Sequence, residues 1–322
     1  MNSFGRIFRI SIYGESHGDC VAVLIDGCPS GIPIKTDDFK KDLLRRKPGA
    51  VGTTPRIEND IPIIDSGVFN DKTTGAPINI RFENKNIQSK EYNTYTEIHR
   101  PGHADFTSKI KYKGLNDFRG SGHFSGRLTL GLVAAGVIAK KIIEPIKVQA
   151  KLISVGGNSD IVTAVNSALQ KGDSIGGLIE CSAKNVPVGY GEPFFDSVES
   201  MIGHLVFSIP AIKGIEFGSG FKAAEMKGSE HNDMFINKAG KTRTNNAGGI
   251  NGGISNGNNI VFRVAVKPPS SIGIAQKTFN FKKNKMDILE VKGRHDACIA
   301  LRIPVIVEAV TAIALADFKL LH

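Results

Sequence analysis

The sequence predicts an α+β layer architecture of two strand-rich halves, each leading into a long helix of small and apolar residues. Three observations carry that expectation. Short runs with β-branched alternation sit between turn residues, two long small-and-apolar runs occur at 126–143 and 304–321, and no Pro/Ser-rich linker or low-complexity tract divides the chain. The 322 residues, 41% hydrophobic and 22% charged, are therefore read as one unit, 1–322, with pseudo-repeated halves and a proper core.

The elements follow in order. "FRISIY" (Phe8–Tyr13) and "CVAVLI" (Cys20–Ile25) read as strands flanking the polar loop "GESHG" (14–18), which looks exposed. "TDDFKKDLLRRK" (Thr36–Lys47) reads as a helix capped by Thr36, with acids in its first turn and Arg45 and Arg46 at its end. Strands are expected at Asp60–Phe69, Ala76–Phe82, Ile175–Pro187 and Asn259–Pro268. "GRLTLGLVAAGVIAKKII" (Gly126–Ile143) suits a buried helix, packed closely where Ala134, Ala135 and Gly136 crowd together. Further helices are expected at 160–170, at 196–210 ending before Pro210, and at Pro304–Leu321. The lysine-rich stretches 109–114 and 281–287 read as solvated surface.

Composition excludes several classes. No run of about 18 uninterrupted apolar residues occurs, and "MNSFGR" lacks the pattern of a secretory signal, so a cytoplasmic protein without membrane attachment is expected. Cys20, Cys28, Cys181 and Cys298 show no C-x-x-C spacing, which argues against a metal site or a disulfide framework. The net charge of +10 would attract a polyanion. Because many arginines lie in loops beside Gly and His, and the chain has no Trp and five Tyr, a small anion fits better than a nucleic acid.

Five loops depart from ordinary turn chemistry: "GESHG", "RPGHAD" (100–105), "DFRGSGHFSGR" (117–127), "NAGGINGGISNG" (246–257) and "GRHDAC" (293–298). Glycines let backbone N–H groups approach a phosphate or a planar ring, and arginines offer paired donors to phosphate and carboxylate oxygens. Such loops could form an anion site with proton donors inside it.

In this order, and with "RRKPG", "TTPRIEND", "KTTGAPI", "GEPFFD", "IKGIEFGSGF" and "VKPPSSI", the loops resemble those of the chorismate synthase family over nearly the whole chain. The resemblance implies a β-α-β sandwich of two similar halves, usually a homotetramer. It implies a 1,4-anti elimination of phosphate from 5-enolpyruvylshikimate 3-phosphate that needs reduced FMN without net redox change. NADPH at the enzyme or an external flavin reductase would supply the electrons. His17 would protonate the departing phosphate, His103 would give a proton to the reduced cofactor, and Asp296 would help take the substrate proton by way of the flavin. Arg45, Arg46, Arg119, Arg127 and Arg294 would hold substrate anions, Arg46 also NADP. Cofactor contacts would come from His123, Phe124 and Ser125, from Pro210, Ala211 and Gly252, from Lys267, Pro268, Pro269, Ser270 and Ser271, and from Arg294.

The chain departs from the family's commonest pattern at several points. His123 stands where many members have Arg, "AVG" (Ala50–Gly52) is shorter and lacks an arginine, Ala297 replaces a proline, and 143–172 is short. Two other readings stay in view: a basic RNA-binding module, which would want stacking aromatics in its loops, and a flavin- or nucleotide-binding protein without catalysis, which would not need His17.

Overall fold

A computed structural model describes residues 2–54, 58–86, 90–291 and 295–322. The first half contains strands β1 (Ser3–Phe4), β2 (Arg9–Gly14), β3 (Cys20–Asp26), β4 (Ile63–Ser66), β5 (Val68–Phe69), β6 (Lys72–Thr73) and β7 (Ile78–Glu83). Its helices are α1 (Lys40–Arg46), α2 (Asp105–Lys111) and α3 (Thr129–Ile142). The second half adds β8 (Lys147–Val155), α4 (Ile161–Gln170), β9 (Gly177–Lys184), α5 (Val198–Phe207), β10 (Ile212–Phe217) and α6 (Gly228–His231). It ends with β11 (Ile250–Asn251), β12 (Ile254–Ser255), β13 (Ile260–Val266), β14 (Gln276–Asn280), β15 (Lys285–Leu289) and α7 (Pro304–Leu321).

Two antiparallel sheets result, ordered β1-β2-β3-β7-β4 and β10-β13-β9-β8. Alternation sets their inner faces: Ile78, Ile80 and Phe82 of β7 are buried, as are Ile260, Phe262, Val264 and Val266 of β13. Helix α3 packs on β3 and β7, α7 packs on β8 and β9, and the two helices pack on each other. The layers therefore run sheet, helices, sheet, a β-α-β sandwich, and buried apolar residues of both sheets belong to one contiguous cluster.

Small residues make the middle layer possible. A Cβ on Gly136 of α3 would lie 2.3 Å from the Ala309 Cβ of α7, and one on Gly131 would lie 3.2 Å from Val23 Cβ of β3. Helix α7 is buried at every position from Val305 to Phe318, as a helix enclosed on all sides must be. Its three buried polar side chains are all engaged. Thr311 Oγ1 donates to Val307 O, Asp317 accepts from the backbone N–H groups of Arg6, Ile7 and Phe8, and Glu308 takes two cations and the Ala150 N–H.

Several sequence expectations shift. Thr36 does not cap a helix but opens a 3-10 turn, Thr36–Phe39, in which the Asp38 carboxylate accepts from Lys35 N. The strand expected over 60–69 breaks at Gly67 (φ +80°), where a Cβ would lie 2.7 Å from Ile78 Cα. Strands β8 and β10, the hairpin β14–β15 and helix α2 fall outside the expectation. In β8, Lys147, Gln149 and Lys151 alternate with inward residues too weakly to stand out beside a helix ending in lysines. All four cysteines are free, and burial pushes the thiols of Cys28 and Cys181 up to about 11 and about 12. Among the described residues, no His/Cys/Asp/Glu group could hold a metal, and no helix is long and apolar enough to cross a membrane.

Candidate active site

The loop between β2 and β3 carries His17, and the structure corrects the expectation that this histidine is exposed. His17 is only 5% exposed because the 117–127 loop folds over it. Gly120, at φ +57°, lies so close that a Cβ would stand 2.4 Å from His17 Nε2, so no side chain fits at 120. Ser16 N donates to Gly122 O (3.1 Å) and the His123 ring donates through Nδ1 to Gly14 O (2.9 Å). His123 thus ties two loops together, with its other nitrogen 3.2 Å from Asn2 Oδ1. The edge of Tyr92 meets His17 at 5.2 Å between ring centroids.

The second histidine sits on the adjoining loop. Arg100 grips Asp105 through Nε and Nη2 (2.8 and 2.7 Å), lies 4.4 Å from the Tyr95 ring centroid, and reaches Ser121 Oγ at 3.3 Å. That last contact joins the 100–105 loop to the one covering His17. His103 Nδ1 lies 3.4 Å from Asp105 Oδ1, an ion contact without hydrogen-bond geometry. Burial alone would raise the Asp105 carboxyl, but the bonds from Arg100, with His103 close by, outweigh it and hold it well below the usual carboxylate range.

The turn after β13 closes on the same loop. Lys267 Nζ and Ser270 Oγ both donate to Gly102 O, at 3.0 and 2.8 Å. Burial, and then Lys213, lower the Lys267 ammonium below its ordinary value. Lys267 N donates to Ala211 O (2.9 Å), with Ala211 at φ +75°, and Pro269 O accepts from Ser174 Oγ, so Pro210 to Ala211 and 267–271 form one wall.

Beneath the loops lies a buried cationic floor. Asp60, in coil at φ +48°, accepts from Arg127 (2.9 Å) and lies 3.5 Å from Arg46. Arg46 also donates to Thr129 Oγ1 (3.0 Å) and Gly126 O (3.1 Å), while Arg127 reaches Glu83 O and the Asn84 side chain. Burial, partly offset by Asp60, pushes the Arg46 guanidinium down to about 9, so it is still charged at neutral pH. A cavity of about 30 Å³ separates Arg46, Thr129, Pro210 and Arg302. Asp296 closes the site: its Oδ1 accepts from Thr54 N (3.0 Å) and its Oδ2 from Arg302 Nη2 (2.7 Å).

Not every expected residue joins this cluster. Arg45 turns instead to Glu308 of α7, bidentate at 2.6 and 2.7 Å. Arg119 is half exposed and bound by its own neighbour Asp117 (2.8 and 2.9 Å). Ser125 accepts from Arg127 N and opens the turn into α3, and Phe124 is partly exposed beside Tyr112. Gly252 lies at the β11–β12 hairpin, whose next residue, Gly253, packs on Ser197. Arg294 lies outside the described residues. Asp60, Tyr92, Arg100, Asp105, Ser121 and Arg302 are the participants that reading the sequence missed. "RPGHAD" contained Arg100 and Asp105, "DFRGSGHFSGR" contained Ser121 and "TTPRIEND" ended in Asp60, none of them singled out for a site role; Tyr92 and Arg302 carry no local signal.

Known proteins resemble this chain along its length. The family profile "Chorismate synthase" matches residues 8–320. A chorismate synthase of Chitinophaga pinensis is 62% identical over 323 residues, spanning 100% of this chain and 97% of the relative. One from Korarchaeum cryptofilum is 42% identical, spanning 98% and 96%. A crystal structure of a chorismate synthase superposes with a TM-score of 0.75 at 27% identity, covering 98% of this chain and 92% of that one. Profile, relatives and fold agree, and the chain belongs to the chorismate synthase family of lyases.

Proposed function

We propose that this chain converts 5-enolpyruvylshikimate 3-phosphate to chorismate by a 1,4-anti elimination of phosphate, with reduced FMN and no net redox change. The observation that carries this reading is the convergence of three glycine loops and the 267–271 turn. Direct contacts run from Ser16 and Gly122 through Ser121, Arg100 and Asp105 to Gly102, Lys267 and Ser270, above the floor made by Arg46 and Arg127. The contiguous core supports treating 1–322 as one domain.

The residues present suit a flavin phosphate and a substrate with one phosphate and two carboxylates. His103 Nδ1 is a buried nitrogen with no hydrogen-bond partner among the described residues, and Lys267 adds an ammonium on the facing wall, bound to Gly102 O. Lys267, Ser270 and Ser271 would hold the cofactor, with Pro210 and Ala211 as wall. Reduced FMN, when bound, would supply transient electron donation that favours C–O cleavage with no net redox change. The chain's own residues handle protons. His17, enclosed by Gly120 and Tyr92, is shielded from water and gives its proton to the leaving phosphate oxygen. His103, oriented by Asp105, is the second donor, and Asp296 takes the proton lost from carbon. Arg46 and Arg127 impose the positive potential that favours the anionic substrate.

The test is anaerobic incubation with 5-enolpyruvylshikimate 3-phosphate and chemically reduced FMN, scored for chorismate and phosphate in equal amounts. Oxidised FMN alone should give neither, and equal rates with both cofactor forms would contradict the mechanism. An added arm with NADPH and oxidised FMN asks whether the chain reduces its own flavin or relies on an external reductase. Sedimentation tests the homotetramer, and fractionation the cytoplasmic location, that complete the proposal.

A further inference from the structure

We propose that Arg302 is a positioning residue that holds the Asp296 carboxylate aimed for proton transfer, an inference that rests on reading Asp296 as the group that takes the substrate proton. Asp296 stands just before the 3-10 turn Ile299–Arg302 that leads into α7, where an aspartate would ordinarily cap a helix. It does not do so. Cys298 and Ile303 occupy the N-cap positions of the turn and of α7 without a side-chain cap bond, while the Asp296 carboxylate is spent on Thr54 N at 3.0 Å and Arg302 Nη2 at 2.7 Å.

The two donors approach different oxygens, so the carboxylate plane is fixed from both sides. A carboxylate oxygen has about two lone-pair sites, so each oxygen keeps one free to receive a proton. Both side chains are largely buried, 15% exposed for Asp296 and 17% for Arg302, which makes the pair far less screened than a surface ion pair. Arg302 also borders the small cavity beside Arg46, whose charge attracts the same carboxylate. Without Arg302, Asp296 is held, among the described residues, by one backbone N–H and is free to turn toward Arg46. Arg302 is therefore needed for where the base points, not for binding.

The experiment is a double-mutant cycle in the full chain with pre-reduced FMN, read as kcat and KM, and repeated on the apo protein as thermal midpoint. Asp296→Asn should lower kcat by a factor of about a hundred or more. Arg302→Gln should lower kcat at least tenfold with KM within threefold, Arg302→Lys should recover part of the loss, and Arg302→Gln should add nothing further in the Asp296→Asn background. The apo midpoints should show the same non-additivity, since the pair exists without ligand. If Asp296→Asn loses kcat but Arg302→Gln keeps it, or if the two losses multiply, the positioning role is wrong while the function of Asp296 stands. A rise in KM with kcat intact makes Arg302 an anion ligand and also overturns it. If Asp296→Asn itself keeps kcat, the reading of Asp296 falls, and this inference with it. Arg302→Lys, which keeps the charge, decides the matter should Arg302→Gln fail to fold.

Discussion

Arg45 and Arg46 are adjacent in the sequence and end in opposite kinds of surroundings. On a helix, consecutive side chains point about 100° apart, so α1 sends Arg45 to α7 and Arg46 to the start of α3. Around Arg45 the charges close on themselves: Arg45 and Lys140 meet Glu308 and Asp42, at 2.6 to 3.5 Å. Around Arg46 they do not. Arg46 and Arg127 share the single carboxylate of Asp60, and the next pair, Arg302 with Asp296, leaves the cationic excess in place. The first region is a clamp between helices. Among the described residues the second keeps a cationic excess, which suits the anionic substrate proposed above.

The largest effect expected from breaking this contrast is at Asp60. Asp60→Asn leaves two buried guanidinium groups without their counter-charge and should cost about 3–5 kcal/mol in denaturant unfolding. Excess phosphate should restore part of that stability; a loss under 1 kcal/mol would show that the floor is solvated after all. Next comes Glu308→Gln, which removes the centre of the clamp. Since Arg45 is partly exposed, about 2 kcal/mol is expected, with kcat within threefold of the parent. A collapse of kcat in a folded Glu308→Gln protein would join the two regions into one site.

Helix α3 is the wall they share, carrying Thr129 at its first residue and Lys140 near its last turn. Gly136→Ala should force it away from Ala309 at an overpacking cost of about 1–3 kcal/mol, offset by roughly 1 kcal/mol of helix propensity. A net stabilisation would mean the helices are free to separate.

The smallest effect is in acid. Glu308 and Asp105 are both held below their ordinary range: burial opposes this in each, but Arg45, Lys140 and the Ala150 N–H prevail at Glu308, and Arg100 and His103 at Asp105. Groups depressed in the folded state stabilise above their unfolded pKa and lose that contribution as pH falls through the folded value. The thermal midpoint should therefore decline below about pH 4.5, and less steeply in Glu308→Gln; an unchanged slope would remove Glu308 from the account.

Much of this was legible in the sequence. The bounds of α7 and the close approach at Gly136 followed from runs of small apolar residues, and the site loops from glycines beside His, Arg and Asp. The fates of Arg45 and Arg46 were not legible, because each depends on which residue of a distant helix faces it. Nor was the burial of His17, which comes from Gly120 more than 100 residues away, or the role of Arg302, whose partner Asp296 is identified only from the folded contact ahead of α7. Local composition marks where chemistry can occur. Which charges are shared and which are spare is decided by packing.

The central claim is that proton chemistry resides in the loop cluster under Gly120, and His17→Ala tests it most directly. Chorismate formation should be measured anaerobically with FMN pre-reduced and in excess, beside the thermal midpoint of the same preparation. The account predicts a fall in kcat of roughly a hundred- to ten-thousandfold in a protein whose midpoint stays close to the parent's. A stable His17→Ala protein that turns over at near-normal rate would contradict it.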